Sequence, residues 1–201
     1  MIDNLVCVKS FSLPPVDRRE TLRYAGVREE TAEITSLLDS CIAEVNGRLS
    51  AKVCYREYEI STLEGKLDLG FGRTDSGALR KALDGCEKAI LFCATVGVDI
   101  DRLIARYSVA SPSRSVMLQA IGTERVETLC DAFCEQIKEE KGDIGQSVTR
   151  RFSPGYSDLP LALQRDVFAA LNPEARIGVV LSESLIMTPS KSVTAIIGIK
   201  M

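Results

Sequence analysis

The chain has 201 residues, a mass of 21.9 kDa and a formal charge of −3 from 25 basic and 28 acidic side chains, a balance that gives no global positive field for a nucleic-acid backbone. Size scaling sets roughly 9,300 Å² of folded surface against roughly 32,000 Å² for the unfolded chain, so about 70% leaves water without a metal or disulfide staple, and one domain over 1–201 is expected. The absence of histidine excludes His-dependent zinc sites and the Ser-His-Asp and Cys-His arrangements.

Seven cysteines, an odd number without a CxxC pair, point to a reduced, cytoplasmic protein. Most read as small core residues; Cys130 and Cys134, one helical turn apart, have the spacing of half a metal site. The opening residues lack a charged region followed by an apolar signal core, and no apolar run approaches the roughly 20 residues of a membrane span, so no membrane partner is expected.

In chain order, a strand is predicted at Leu5–Val8, and Pro14–Pro15 then breaks the chain. Asp17 is placed to cap a helix to Tyr24, ended by Gly26. A longer helix is predicted from Glu29 to Leu49, where Ile34, Leu37, Leu38, Cys41, Ile42 and Val45 form one apolar stripe. Strands follow at Val53–Ile60 and Lys66–Leu69. The glycine-rich stretch from Leu69 to Gly77 matches neither dinucleotide nor Walker A spacing, so it reads as a turn with Ser76 capping a helix over Ala78–Leu83.

Ala89–Thr95 reads as a buried strand leading through Gly97 to a helix at Ile100–Tyr107. A long helix is predicted from Ser113 to Glu140; on it Glu124 and Asp131, seven apart, fall roughly on one face, where they either look toward a ligand or meet solvent. Gly142–Gly145 ends that helix. After the polar stretch Arg151–Tyr156, Leu159–Leu171 is predicted helical and stopped by Asn172–Pro173; Ile177–Leu181 and a closing strand at Ser192–Ile199 complete the chain. Helices and strands mix without a regular βαβ rhythm, which predicts an α+β fold with a mixed or antiparallel sheet and flanking helices.

Two ordered motifs in the last third are distinctive. Arg151-Phe152-Ser153-Pro154-Gly155-Tyr156, followed about twenty residues later by the segment Ile177–Val193 with Ser182-Glu183-Ser184-Leu185-Ile186-Met187-Thr188-Pro189 inside it, resembles the activation domain of vitamin B12-dependent methionine synthase. The likeness extends more weakly to Ala94–Gly97 and to the helix around Asp131-Ala132-Phe133-Cys134-Glu135. The resemblance implies a domain that binds S-adenosylmethionine and docks on the cobalamin-binding domain or subunit of methionine synthase or another corrinoid protein. Cobalamin is then carried by the partner, and a flavodoxin-like or other reductant supplies the electron that restores inactive cob(II)alamin.

The resemblance also implies site residues. Arg151 matches the family's arginine and has the chemistry to grip the ligand carboxylate. Pro154 and Gly155 would shape the turn, with Tyr156 giving a flat surface and a hydroxyl. Asp131 stands where the family helix carries a glutamate and is a candidate for the ligand ammonium or ribose. Glu183 and Ser184 either brace the loop or face the cobalamin domain, and Glu124 is a weaker candidate. No catalytic or metal residue is implied, since the protein supplies orientation.

Departures from the pattern matter too. Nothing in Met1–Arg19 matches the family's aromatic N-terminal lead-in, and the closing Thr194–Ile199 lacks its later aromatic ligand contact, so a partner is expected to complete one wall of the cleft. A separate activation subunit is the expectation. The alternatives are a docking protein that has lost ligand binding and an S-adenosylmethionine-dependent methyltransferase using Gly70–Gly77.

Overall fold

The computed structural model describes residues 5–200. In chain order the elements are β1 (Cys7–Ser10), α1 (Arg18–Tyr24), α2 (Ala32–Val45), β2 (Lys52–Glu59), β3 (Ser61–Leu63), β4 (Lys66–Asp68), β5 (Arg73–Thr74), α3 (Gly77–Ala82), β6 (Lys88–Thr95), α4 (Asp99–Ala110) and α5 (Pro112–Gly142). They continue with β7 (Ser147–Val148), a 3-10 turn (Leu161–Leu163), α6 (Gln164–Leu171), α7 (Pro173–Ile177), β8 (Val180–Leu181), β9 (Met187–Thr188) and β10 (Ser192–Lys200).

A five-stranded antiparallel sheet in the order β1-β2-β6-β10-β7 forms the middle layer. The central strand β6 explains the layering. Its alternate residues Ile90, Phe92 and Ala94 enter a core formed with α1, α2, α4 and α5, whereas Ala89, Leu91 and Cys93 enter a second core formed with α3, α6, α7 and the β3–β5 ribbon. A strand buried on both faces reads as a continuous apolar run rather than an alternation, as Ala89–Ala94 does. The expected α+β architecture, with an antiparallel sheet and flanking helices, is therefore present.

The helix α5, about 46 Å long, crosses the first face with Leu118, Ile121, Leu129, Phe133 and Ile137 buried. Phe133 is the hub: its ring lies 4.9 Å from Phe92, 5.1 Å from Tyr55 and 6.3 Å from Phe11, centroid to centroid. Gly122 permits close approach, because a Cβ there would come within 2.9 Å of both Ile100 and Lys191.

Several expectations hold at the caps. The Asp17 carboxylate accepts from the Glu20 N–H, and the Ser76 hydroxyl from the Leu79 N–H. Others shift. The Glu29–Leu49 helix begins only at Ala32, because Thr31 caps it, and ends at Val45. The first strand lies at Cys7–Ser10 rather than Leu5–Val8, set by pairing with β2. Leu159–Leu171 divides into a loop, a 3-10 turn and α6, since Pro160 starts the turn. Within Ile177–Leu181, Ile177 closes α7 and Val180–Leu181 form β8, with Gly178 in the left-handed conformation between them.

Candidate functional site

Along the main sheet, β10 pairs with β6 on one side, while on the other side only Ile196 and the residues beyond it are paired, to Phe152, Thr149 and β7. Residues Ser192–Thr194 thus leave one edge open where the chain after Phe152 turns away. A cleft of about 470 Å³ fills that space, within the usual size of a small-molecule site. Its walls come from α5 (Glu127), the Arg151–Tyr156 loop, α6 (Gln164), β9 (Met187) and the β10 edge.

Arg151 lies in this cleft with 26% of its side chain exposed. Its Nη2 donates to Glu127 Oε2 at 2.5 Å, and its Nη1 lies 3.1 Å from Asp131 Oδ1 without the alignment of a hydrogen bond, leaving Nη1 enclosed and unpartnered among the described residues. Glu127 and Asp131 are four apart on α5, so both reach one guanidinium. Burial opposes the Arg151 charge, but Cys130, Glu127, Asp131 and Cys134 around it outweigh burial and raise its pKa. On the same helix face burial pushes the Cys130 thiol far up, and that of Cys134 to about 11, against the pull of Arg151. Both thiols are therefore protonated near neutrality and poor nucleophiles.

The turn after Arg151 is compact. Gly155 has φ +90° and donates its N–H to Leu159 O at 2.9 Å, while the Tyr156 N–H reaches Ser153 O at 3.2 Å. Only glycine suits that φ without strain, and a Cβ would also lie 3.2 Å from Leu161 Cδ1. Pro154 is buried, whereas Tyr156 is 70% exposed at the cleft rim. The segment entering β10 is pinned as well: Ser190 donates from N–H and hydroxyl to Asp101 at 2.7 and 2.5 Å, and Lys191 Nζ donates to Thr123 at 3.0 Å.

The structure brings Arg151, Pro154 and Tyr156 into the cleft wall, with Gly155 completing the turn and Asp131 beside Arg151. It does not bring Glu124 there. That carboxylate, 3% exposed, holds Arg125 and accepts from Thr128 and the Asp17 N–H, because it faces the N-terminal segment. Glu183 and Ser184 sit exposed in the β8–β9 turn, where the Ser184 hydroxyl meets that of Ser182 at 2.9 Å, and neither lines the cleft. The glycine-rich turn is already satisfied: the Asp158 carboxylate accepts from Ser76 Oγ and the N–H groups of Gly77 and Ala78. Glu127 and Gln164 were missed. Glu127 had a signal in its i,i+4 spacing to Asp131, whereas Gln164 had none.

An antiparallel sheet covered by helices on both faces, with a cleft of small-molecule size at an open strand edge beside an arginine, defines an α+β domain with a candidate ligand site. The sequence profile described as "Vitamin B12 dependent methionine synthase, activation domain" matches residues 81–200, more than half the chain, and the chain belongs to that family. No curated protein matches it by sequence. Among solved structures, the fold is similar to one described as the MetH reactivation domain bound to AdoHcy, at 15% identity and a TM-score of 0.69, over 96% of this chain and 78% of that one. No helix among the described residues is long and apolar enough to cross a membrane.

Proposed function

We propose that this chain is an S-adenosylmethionine-binding activation module that supports reductive remethylation of cob(II)alamin on methionine synthase or a related corrinoid methyltransferase. The observation that carries this reading is the Arg151 guanidinium, positively charged and partly exposed in the wall of a cleft of small-molecule size. A ligand carboxylate would compete with Glu127 and Asp131 for the guanidinium and accept from it in a charge-assisted bond. Asp131 beside it is suited to the ligand ammonium. The Pro154-Gly155-Tyr156 turn would form the rim, with the exposed Tyr156 ring available to cover the ligand.

Cobalamin on the partner would supply the methyl-accepting metal once a flavodoxin-like or other reductant has delivered an electron. This chain's residues would hold the ligand in one orientation and exclude water on their side of the cleft. Because the cleft is open, a docked cobalamin domain would complete it, and ligand affinity should rise in its presence. A second reading, a docking protein that no longer binds the ligand, draws on Glu127 and Asp131, which already neutralise Arg151.

Calorimetric titration of S-adenosylmethionine into the chain, alone and with a cob(II)alamin-loaded partner, separates the two. Specific binding that disappears in Arg151→Ala supports the first. Partner binding without any ligand heat in either sample supports the second.

A further inference from the structure

The cleft has a second polar wall that the proposed carboxylate contact does not use. Gln164, at the start of α6, is only 4% exposed yet lines the cleft. Its Oε1 accepts from the Thr194 hydroxyl at 3.2 Å, which fixes the carboxamide plane. Its Nε2 has no acceptor among the described residues and is not enclosed by protein, so a buried side chain presents an N–H₂ group to the cleft. A buried amide left without an acceptor is costly, whereas one facing a site is an oriented donor.

The main chain next to it is unpaired as well. The two bonds between Phe152 and Ile196, both 2.9 Å, and the bond from the Thr149 N–H to Gly198 O show that even-numbered residues of β10 turn their main-chain groups away from β6. By the alternation of an antiparallel ladder, Thr194 does the same, one step beyond the last cross-bond, and its N–H and C=O face the cleft. Carbonyl, N–H and the Gln164 amide together form a neutral array of one acceptor and two donors. The Gln164 amide stands over the β10 face that carries the Thr194 side chain, while the Thr194 main-chain groups lie in the sheet plane at its open edge, and both border the cleft.

We propose that Gln164 and the Thr194 main chain form a specificity wall for the nucleobase of a purine nucleoside ligand, a reading that rests on the S-adenosyl ligand proposed above. A 6-aminopurine edge complements the array: its exocyclic amino group donates to the Thr194 carbonyl, and ring nitrogens accept from the Thr194 N–H and Gln164 Nε2. The neutral wall suits an uncharged base, and the charged wall at Arg151 suits the amino-acid end. Gln164 touches the ligand, and the Thr194 hydroxyl is a positioning group that aims the amide.

The test is calorimetric titration of the whole chain with S-adenosylhomocysteine and with 5′-methylthioadenosine, which keeps the nucleoside and lacks the amino-acid end. Gln164→Met should weaken both by the same factor, about tenfold, with little change in melting temperature. Thr194→Val, which keeps the amide but frees its orientation, should weaken both about threefold, and it decides the matter if Gln164→Met does not fold. Unchanged affinity for both ligands in the folded variants overturns the inference while leaving the S-adenosyl reading intact. So does weakening of S-adenosylhomocysteine alone, or binding of that ligand by the unmodified chain without binding of methylthioadenosine. No binding of either ligand by the unmodified chain overturns the parent reading and this one with it.

Discussion

Two arginines touch α5 and do opposite things. Arg125 is 5% exposed and every arm is committed: Nε and Nη2 to Glu124, Nη1 to Pro14 O and Nη2 also to Pro15 O. It fastens the connection between β1 and α1 onto the long helix. Arg151 is more open, shares two carboxylates that are themselves partly exposed, and lines a cleft. The same side chain acts as a rivet where it is buried and each of its three nitrogens bonds to protein acceptors, and offers a binding group where part of it faces a cleft.

The largest effect that tests this comparison is expected at the rivet. Glu124→Ala leaves Arg125 buried without its counter-charge and should cost about 3–5 kcal/mol, read as a drop in the urea midpoint. A loss below about 1 kcal/mol would mean that Arg125 is not holding the segment. At the cleft the balance reverses: Arg151→Ala should lower S-adenosylmethionine affinity about 100-fold, since a charge-assisted bond is worth about 1.5–3 kcal/mol, while the midpoint moves little. A folded variant with a midpoint lowered as far as that of Glu124→Ala but with unchanged ligand affinity would erase the distinction.

Asp131 sharpens the comparison further, because its side chain is 75% exposed and its ion pair contributes little to folding. Asp131→Asn should leave stability within about 0.5 kcal/mol and weaken the ligand about threefold, as expected of an exposed charge. Unaltered affinity would remove it from the site.

A smaller effect concerns a third charged cluster, at Glu57. Burial raises its pKa, but Lys141 at 2.5 Å and Lys88 at 3.1 Å outweigh burial and hold it below the ordinary carboxylate value. Its stabilising contribution is thus complete above the unfolded pKa, about 4.3, and is lost as pH falls through the lower folded value. Urea midpoints followed from pH 6 to 3 should fall less steeply in Glu57→Gln than in the unmodified chain; parallel profiles would show that the cluster is electrostatically idle.

Legibility in the sequence followed the range of the interactions. The apolar run at Ala89–Ala94 showed a strand buried on both faces, and the caps at Asp17 and Ser76 were visible because a cap bonds only three residues away. The Arg151 and Pro154-Gly155-Tyr156 motif was readable as a pattern. Glu124 was misleading: seven residues from Asp131 is nearly two helical turns, but the N-terminal segment that packs over Glu124 belongs to a distant part of the chain. The short strands β5, β7, β8 and β9, each two residues long, lacked enough pattern to register alone.

By itself, the sequence determined the α+β character, the histidine-free chemistry, the main apolar elements and the likeness to the activation-domain family, because each rests on composition or on neighbours along the chain. Tertiary structure alone decided that Arg151 meets Glu127 and Asp131, that Arg125 and Glu124 serve the N-terminal segment, and that Gln164 meets Thr194 at an open strand edge. Those contacts join residues 20 to 111 positions apart, and only the register of the sheet and the packing of helices on its two faces bring them together.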